Sequence, residues 1–260
     1  MTGAAVFSVS GLGAKWQTIL IEGGPAGAGT GSAGGSSFAS PSLASRLRSR
    51  TWMPTQGEAT ATVLLRHGQT SMSVQKRYAG RSDVPLTDTG ERQAAAAAKR
   101  LVLAGLSAIV SSPLQRAMRT AEWVATVTGV PVVADEGFRE TDFGAWEGLT
   151  FAEVKERWPS EMTTWLTDPM VAPPGGESFA EVSERVTAAL HRVLVGRERQ
   201  RVLIVSHVTP IKMLVAAALL APPPALYRMH LDVAALCEID WYADGPAVLR
   251  SFNDTAHLNH

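Results

Sequence analysis

The stretch Val63-Leu64-Leu65-Arg66-His67-Gly68-Gln69-Thr70 places a cation, an imidazole and a glycine directly behind an apolar run. Such a run reads as a buried strand, and its abrupt end delivers Arg66 and His67 to the carboxyl edge, where α/β proteins build their sites. Gly68 lets the backbone turn sharply, Arg66 can fork two hydrogen bonds onto a phosphate, and His67 offers a nitrogen able to act as base, metal ligand or nucleophile. A strand merely capped by an arginine and a histidine would look the same, so the motif needs company.

Arg116 lies in the first turn of the helix that follows a second strand, and His207 follows a third run, Arg201 to Val205. If these strand ends share one edge, they gather a cationic pocket suited to phosphate. Arginines neutralise the peripheral oxygens, helix amino termini offer N–H groups, one imidazole attacks in line and another supports the charge. His67 is the expected nucleophile. A metal site on His67 and His207 lacks carboxylates or thiolates at ligand spacing, and Arg66 would repel the cation, so neither metal nor cofactor is expected.

The elements that must hold these residues alternate between short strands and amphipathic helices from Ala61 onward, which predicts a three-layer α/β/α domain with a mostly parallel sheet. Asp88 with Glu91 reads as a capping box for the alanine-rich helix ending near Gly105. Strand Ala108 to Val110 leads to Pro113, a candidate first helical residue, and Thr209-Pro210 opens an apolar helix that stops before the prolines at 222 to 224. Val132-Val133 begins another strand. ALCEIDWY and AVLRSF around Ala243 to Pro246 read as a terminal antiparallel hairpin, making the sheet mixed and capping one edge. Thr150 with Glu153, and Ser178 with Glu181, start two further helices.

Twenty-four basic and 24 acidic residues cancel, so there is no global pull toward nucleic acid or anionic membrane, and any anion preference is local. Cys237 is the single cysteine, which excludes an internal disulfide or a thiolate cluster and reads as a packed, inert thiol. Residues 23 to 44 are almost wholly small and flexible, so 1–58 is expected to be a tail or linker and 59–260 the folded domain; Arg46, Arg48 and Arg50 read as a solvated charge run. No leader pattern or apolar run of about 18 residues appears, and a cytoplasmic location is the expectation.

The ordered motifs LLRHGQT, GRSDVPLTDTGERQA, SSPLQRAMRTA, ETDFGAWEG, PPGGESF and VSHVTPIK together resemble the histidine phosphatase (phosphoglycerate mutase-like) superfamily over about Ala61 to Thr255. Within it the chain looks most like the acid phosphatase half of bifunctional ribonuclease H/acid phosphatase proteins and like α-ribazole phosphatases. The resemblance implies a phosphomonoesterase in which His67 becomes phosphorylated, Arg66, Arg116 and His207 hold the phosphoryl group, and Glu140 protonates the leaving oxygen. From the sequence alone Glu136, Asp142 and Glu147 rival Glu140. Residues 1 to 60 show no ribonuclease H pattern of carboxylate-bearing strands, so that activity is not carried over. The implied partner is a small phosphomonoester, with no membrane or nucleic acid; a mutase and a non-catalytic phosphate-binding module are the alternatives.

Two positions depart from the family pattern. Ser73 stands where relatives often carry Asn, so a hydroxyl, backbone group or water is expected to replace an amide contact, and Val208 stands where Gly usually follows the second histidine, so the next loop is expected to differ. Thr209 is the expected capping hydroxyl, while Gln69 and Thr70 are secondary candidates for phosphate contact or turn stabilisation. Phe151 to Ser178 is the expected substrate-reading segment, with Trp158, Met162, Trp165 and Met170 as candidates for an apolar wall.

Overall fold

The computed structural model describes residues 58–259. Residues 1–57 of the expected tail, including the arginine cluster at 46, 48 and 50, lie outside the described residues. In chain order the elements are β1 (Ala59–Arg66), the short α1 (Ser71–Val74), α2 (Asp88–Leu101), β2 (Ala108–Ser111), α3 (Gln115–Thr128), β3 (Val132–Ala134), α4 (Phe151–Arg157), α5 (Pro159–Trp165), α6 (Phe179–Leu194), β4 (Arg201–Ser206), α7 (Val208–Ala218), β5 (Leu236–Tyr242) and β6 (Ala247–Asp254). One six-stranded sheet runs in the order β3-β2-β4-β1-β5-β6. β1, β4, β2 and β3 are parallel, whereas β5 and β6 form the antiparallel hairpin at one end, as the sequence predicts.

Alternation within the central strands explains the three layers. Val63, Leu65, Leu203 and Val205 face α2 and α3, where Ala97, Ala98, Ala117 and Ala121 keep the helices close to the sheet. Leu64, Val202 and Ile204 face the other way, onto α6 and α7 through Val182, Val186, Ile211 and Leu214. β1 is buried on both faces, with Val63, Leu64 and Leu65 at most 1% exposed, which accounts for its unbroken apolar sequence. Cys237 packs inside the same core, and burial pushes its thiol up to about 11, as expected of an inert cysteine. Among the described residues no helix is long and apolar enough to cross a membrane.

Several helix starts differ from the sequence reading. The cap of α2 is Thr87, whose hydroxyl accepts from Gly90 N at 3.1 Å, rather than Asp88; Glu91 instead accepts from Trp123 Nε1 at 2.6 Å and pairs with Arg119. One residue of offset turns Glu91 away from the cap and toward α3. Pro113 precedes the first helical residue of α3 by two places. α7 begins at Val208 with His207 as its cap residue, one step before Thr209-Pro210, and no side chain caps it. The boxes Thr150/Glu153 and Ser178/Glu181 form reciprocally as predicted.

α2 also positions the turn after β1. A Cβ on Gly90 would overlap the carbonyl of Gln69, and one on Gly68 the carbonyl of Gly90, so these backbones touch because both residues lack side chains. Gly90→Ala is accordingly expected to cost about 1–3 kcal/mol, the usual penalty of overpacking. Denaturant titration checks this, and an unaltered midpoint would show that α2 has room to withdraw.

Candidate active site

The register of three neighbouring strands assembles the site. Arg66 lies opposite Ser206 and Ser111 opposite Val205, so His67, Ser112 and His207 emerge side by side at the carboxyl edge. Main-chain bonds prolong the ladder past the strand ends: His67 N donates to Ser206 O at 3.0 Å and Ser112 N to Val205 O at 2.9 Å. The predicted convergence of strand ends therefore occurs, with the His67 and His207 rings 5.0 Å apart between centroids.

His67 has a defined proton arrangement. Its Nδ1 lies 2.8 Å from the Gly68 carbonyl, which can only accept, so Nδ1 carries the hydrogen and the neutral ring keeps a bare lone pair on Nε2. The ring lines a cavity of about 250 Å³ together with Arg66, Arg116, Glu140 and Thr70. Burial, then the charges of Arg116 and Arg66, hold its pKa well below 6.5. His207 stands behind the cavity wall, fully buried. Its Nε2 meets the Ser112 hydroxyl at 2.8 Å, and burial, Arg116, His67 and Arg66 again hold the ring well below 6.5. When Ser112 donates to Nε2, the ring hydrogen occupies Nδ1.

The arginines are fixed by carbonyl groups. Arg66 donates from an η nitrogen to Leu231 O at 2.5 Å, while Arg116 clamps the loop before it through Ser82 O at 2.7 Å, Ala79 O at 2.8 Å and Gly80 O at 3.0 Å. Burial pushes the Arg66 guanidinium down to about 10 and also lowers Arg116, while the charge of Glu140 opposes both shifts. Three buried nitrogens here, Arg66 Nε, Arg116 Nε and His207 Nδ1, have no hydrogen-bond partner among the described residues. Unsatisfied buried donors are rare and costly, and an anion bound among them would supply acceptors.

Glu140 lines the cavity, and its carboxylate accepts from Thr141 N at 2.9 Å and Thr209 N at 3.3 Å. Its rivals are occupied elsewhere. Glu136 pairs with Arg139 on the surface and Asp142 with Arg81, while Glu147 binds Gly80 N, Arg81 N and the Ser82 hydroxyl. Arg185 of α6 fixes the main chain around Glu140, donating to Gly137 O, Arg139 O and Glu140 O while paired with Glu177.

The secondary candidates divide. Thr70 lines the cavity and caps α1, but Gln69 spends its side-chain oxygen on the Thr87 hydroxyl at 2.9 Å and does not line it. Ser73 completes the Thr70 capping box, bonding Thr70 N at 2.9 Å and Thr70 O at 2.8 Å, and so holds the turn as well as lining the cavity. Val208 lines the cavity with helical backbone, so glycine's freedom is not needed there; Thr209 serves through its N–H rather than its hydroxyl. Of the four candidates for an apolar wall, Trp165 alone borders the cavity. Met162 is core, Trp158 packs on the core, and Met170 is exposed. Ser112, Arg77, Tyr78, Phe143, Phe179 and Tyr227 were missed. Ser112 carried the same strand-end signal as His67, and Phe179 opens the periodic apolar face of α6, while the others come from loops and turns without periodicity.

A sequence profile of the histidine phosphatase superfamily (branch 1) matches residues 62–255. The chain belongs to the histidine phosphatase superfamily. It is similar to a bifunctional protein of Mycobacterium tuberculosis, 50% identical over 208 residues; the match covers 80% of this chain but only 57% of that relative's length. A probable phosphoglycerate mutase of Cronobacter sakazakii is 36% identical over 204 residues, covering 75% of this chain and 94% of the mutase. Among solved structures, a mycobacterial glucosyl-3-phosphoglycerate phosphatase superposes with a TM-score of 0.68 at 32% identity, covering 76% and 100% of the two chains. The α-ribazole phosphatase of Shigella flexneri gives 0.69 at 28% identity, covering 75% and 96%. The fold is thus phosphoglycerate mutase-like, in a superfamily of phosphatases and mutases acting on small phosphorylated substrates.

The depressed histidines set a pH dependence. The folded protein keeps His67 and His207 neutral where the unfolded chain takes up protons, so stability present above about pH 6.5 is lost as pH falls toward the lower folded values. Melting curves in phosphate-free buffer from about pH 8 to about pH 5 are expected to show Tm falling below about pH 6.5, with a shallower fall in His207→Gln. An identical slope in that variant would show that His207 is not held neutral.

Proposed function

We propose that the chain is a metal-independent phosphomonoesterase working through phosphohistidine on His67. The observation that carries this reading is the bare Nε2 of His67 on a cavity whose surroundings hold the three unpartnered nitrogens of Arg66, Arg116 and His207, with a carboxyl group at its side. Nε2 attacks phosphorus in line with the ester oxygen. The P–O bond breaks, its electron pair stays on the departing oxygen, and Glu140 in its acid form supplies that oxygen with a proton. Water then attacks the phosphohistidine, Glu140 takes its proton, and the P–N pair returns to Nε2 as inorganic phosphate leaves. Arg66, Arg116 and His207 hold the peripheral oxygens through both steps. The two guanidinium groups supply positive charge here, and among the described residues no cluster of three or more His, Cys, Asp or Glu could hold a metal ion.

A mutase is the second reading, favoured by the similarity to a probable phosphoglycerate mutase. It requires further cations to retain a bisphosphorylated intermediate. Lys155 and Arg157, the bases of Phe151 to Ser178, are exposed on α4 and do not line the cavity. Arg77 does line it, but is engaged with Gly148 O at 2.7 Å and Glu153 at 2.9 Å. Phosphate release with negligible interconversion of 2- and 3-phosphoglycerate is therefore expected in the presence of 2,3-bisphosphoglycerate. Efficient interconversion with little phosphate release would favour the mutase.

Two further measurements test the chemistry. Labelled substrate quenched without acid is expected to leave label on His67, and near-normal turnover by His67→Ala would defeat the mechanism. Glu140→Gln is expected to slow alkyl phosphate hydrolysis by about a hundredfold or more, and nitrophenyl phosphate hydrolysis far less, since nitrophenolate leaves without a proton. Equal loss on both would assign Glu140 to binding.

A further inference from the structure

We propose that the cavity carries an aromatic subsite beside its phosphate end, and that the substrate is a phosphomonoester with a flat, apolar body of one or two rings. The proposal rests on the phosphatase reading above and adds the class of group attached to the phosphate.

Away from His67 the cavity is bordered by Tyr78, Phe143, Trp165, Phe179, Leu226 and Tyr227. Leu226 and Tyr227 adjoin in sequence; the five aromatic side chains come from separate segments, yet their rings form a connected series. Centroids are 4.7 Å apart for Tyr78 and Phe143, 6.3 Å for Tyr78 and Trp165, 4.8 Å for Trp165 and Phe179, and 6.2 Å for Trp165 and Tyr227. The series begins beside the phosphate end, since Tyr78 precedes Ala79, whose carbonyl Arg116 binds. It ends at Tyr227, which is 42% exposed and donates its hydroxyl to Trp165 O at 3.1 Å. Core packing accounts for Phe179 and Trp165 but not for an exposed tyrosine over an open cavity. These rings already sit at the tilted and edge-to-face spacings that aromatic groups prefer, and a ring entering there would extend the series.

The charge pattern excludes a small anionic body. Among the described residues, the cations bordering the cavity are Arg66, Arg116 and Arg77, and Arg77 is already paired with Glu153. Burial pushes both the Tyr78 and the Tyr227 hydroxyl up to about 12, so this wall carries no charge near neutral pH. A carboxylate placed against it would lose hydration without gaining a partner. The volume of about 250 Å³ lies below the ~300–1,000 Å³ usual for ligand pockets, which fits a phosphate with a compact ring and not a long chain.

The test compares alkyl esters, so that leaving-group chemistry stays constant: 2-phenylethyl phosphate, ethyl phosphate and 3-phosphoglycerate. Purified full chain is expected to favour 2-phenylethyl phosphate over each of the others by about tenfold or more in kcat/KM, the gain expected of an aromatic contact plus ring burial. Tyr227→Ala is expected to lower the phenylethyl-to-ethyl ratio several-fold, while Tyr227→Phe, which keeps the ring and loses the hydroxyl bond, retains it. Equal kcat/KM for all three esters, a preference for 3-phosphoglycerate, or an unchanged ratio in Tyr227→Ala overturns the subsite while leaving the phosphatase reading intact. If no ester releases phosphate, calorimetry with 2-phenylethylphosphonate and ethylphosphonate decides. Clearly tighter binding of the aromatic compound supports the subsite without the hydrolysis, and equal affinity overturns it.

Discussion

The site depends on the parallel register of β1, β4 and β2. With Arg66 opposite Ser206 and Ser111 opposite Val205, the three strands end together, and His67, His207 and Ser112 share one edge. Side chains alternate along a strand, so a slip of one residue would exchange Leu64 with its neighbours between two different cores and carry His67 away from His207. The two apolar faces therefore enforce the polar geometry. Burying Val63 on α2 and α3 while Leu64 meets α6 and α7 leaves one register for the strand that carries Arg66 and His67.

That precision gathers like charges. A buried and a half-buried guanidinium group and two imidazoles crowd one strand edge, and the histidines respond by remaining neutral. Glu140 offsets part of the repulsion and is itself held by the N–H groups of Thr141 and Thr209. Carbonyl oxygens of Leu231, Ala79, Gly80 and Ser82 occupy the η nitrogens of the arginines, fixing their direction at the expense of those donors. The nitrogens left over, Arg66 Nε, Arg116 Nε and His207 Nδ1, suit the site to an anion. Any ligand that satisfies them stabilises the fold by mass action.

Supporting residues lie far apart in sequence. Arg185 reaches from α6 to three carbonyls around Glu140, and Glu147 gathers the amides of the loop that Arg116 clamps from the other side. Gly68 N donates to the Thr120 hydroxyl at 3.2 Å, tying the turn after β1 to α3. Each contact fixes backbone instead of touching the cavity, which is how loops acquire the rigidity that a preorganised site requires.

By itself the sequence determined the buried strand ending in Arg66-His67, the alternation of strands and helices, the terminal hairpin and the capping boxes at Thr150 and Ser178. These are local or periodic signals, set by apolar alternation and by side chains reaching three residues along the chain. Cap positions were less legible, because Thr87 and Asp88 are both good caps and the contact of Glu91 with Trp123 and Arg119 decides between them. Residue type and spacing did not separate Glu140 from Glu136, Asp142 and Glu147; the family resemblance singled it out, and the tertiary structure sets it at the cavity while its rivals hold other partners. Tertiary packing likewise turned Gln69 into a support of the turn and brought Tyr78, Phe143 and Tyr227 around one cavity. A local pattern can state what a residue is able to do, but which groups face one another depends on register and on loops held by distant side chains.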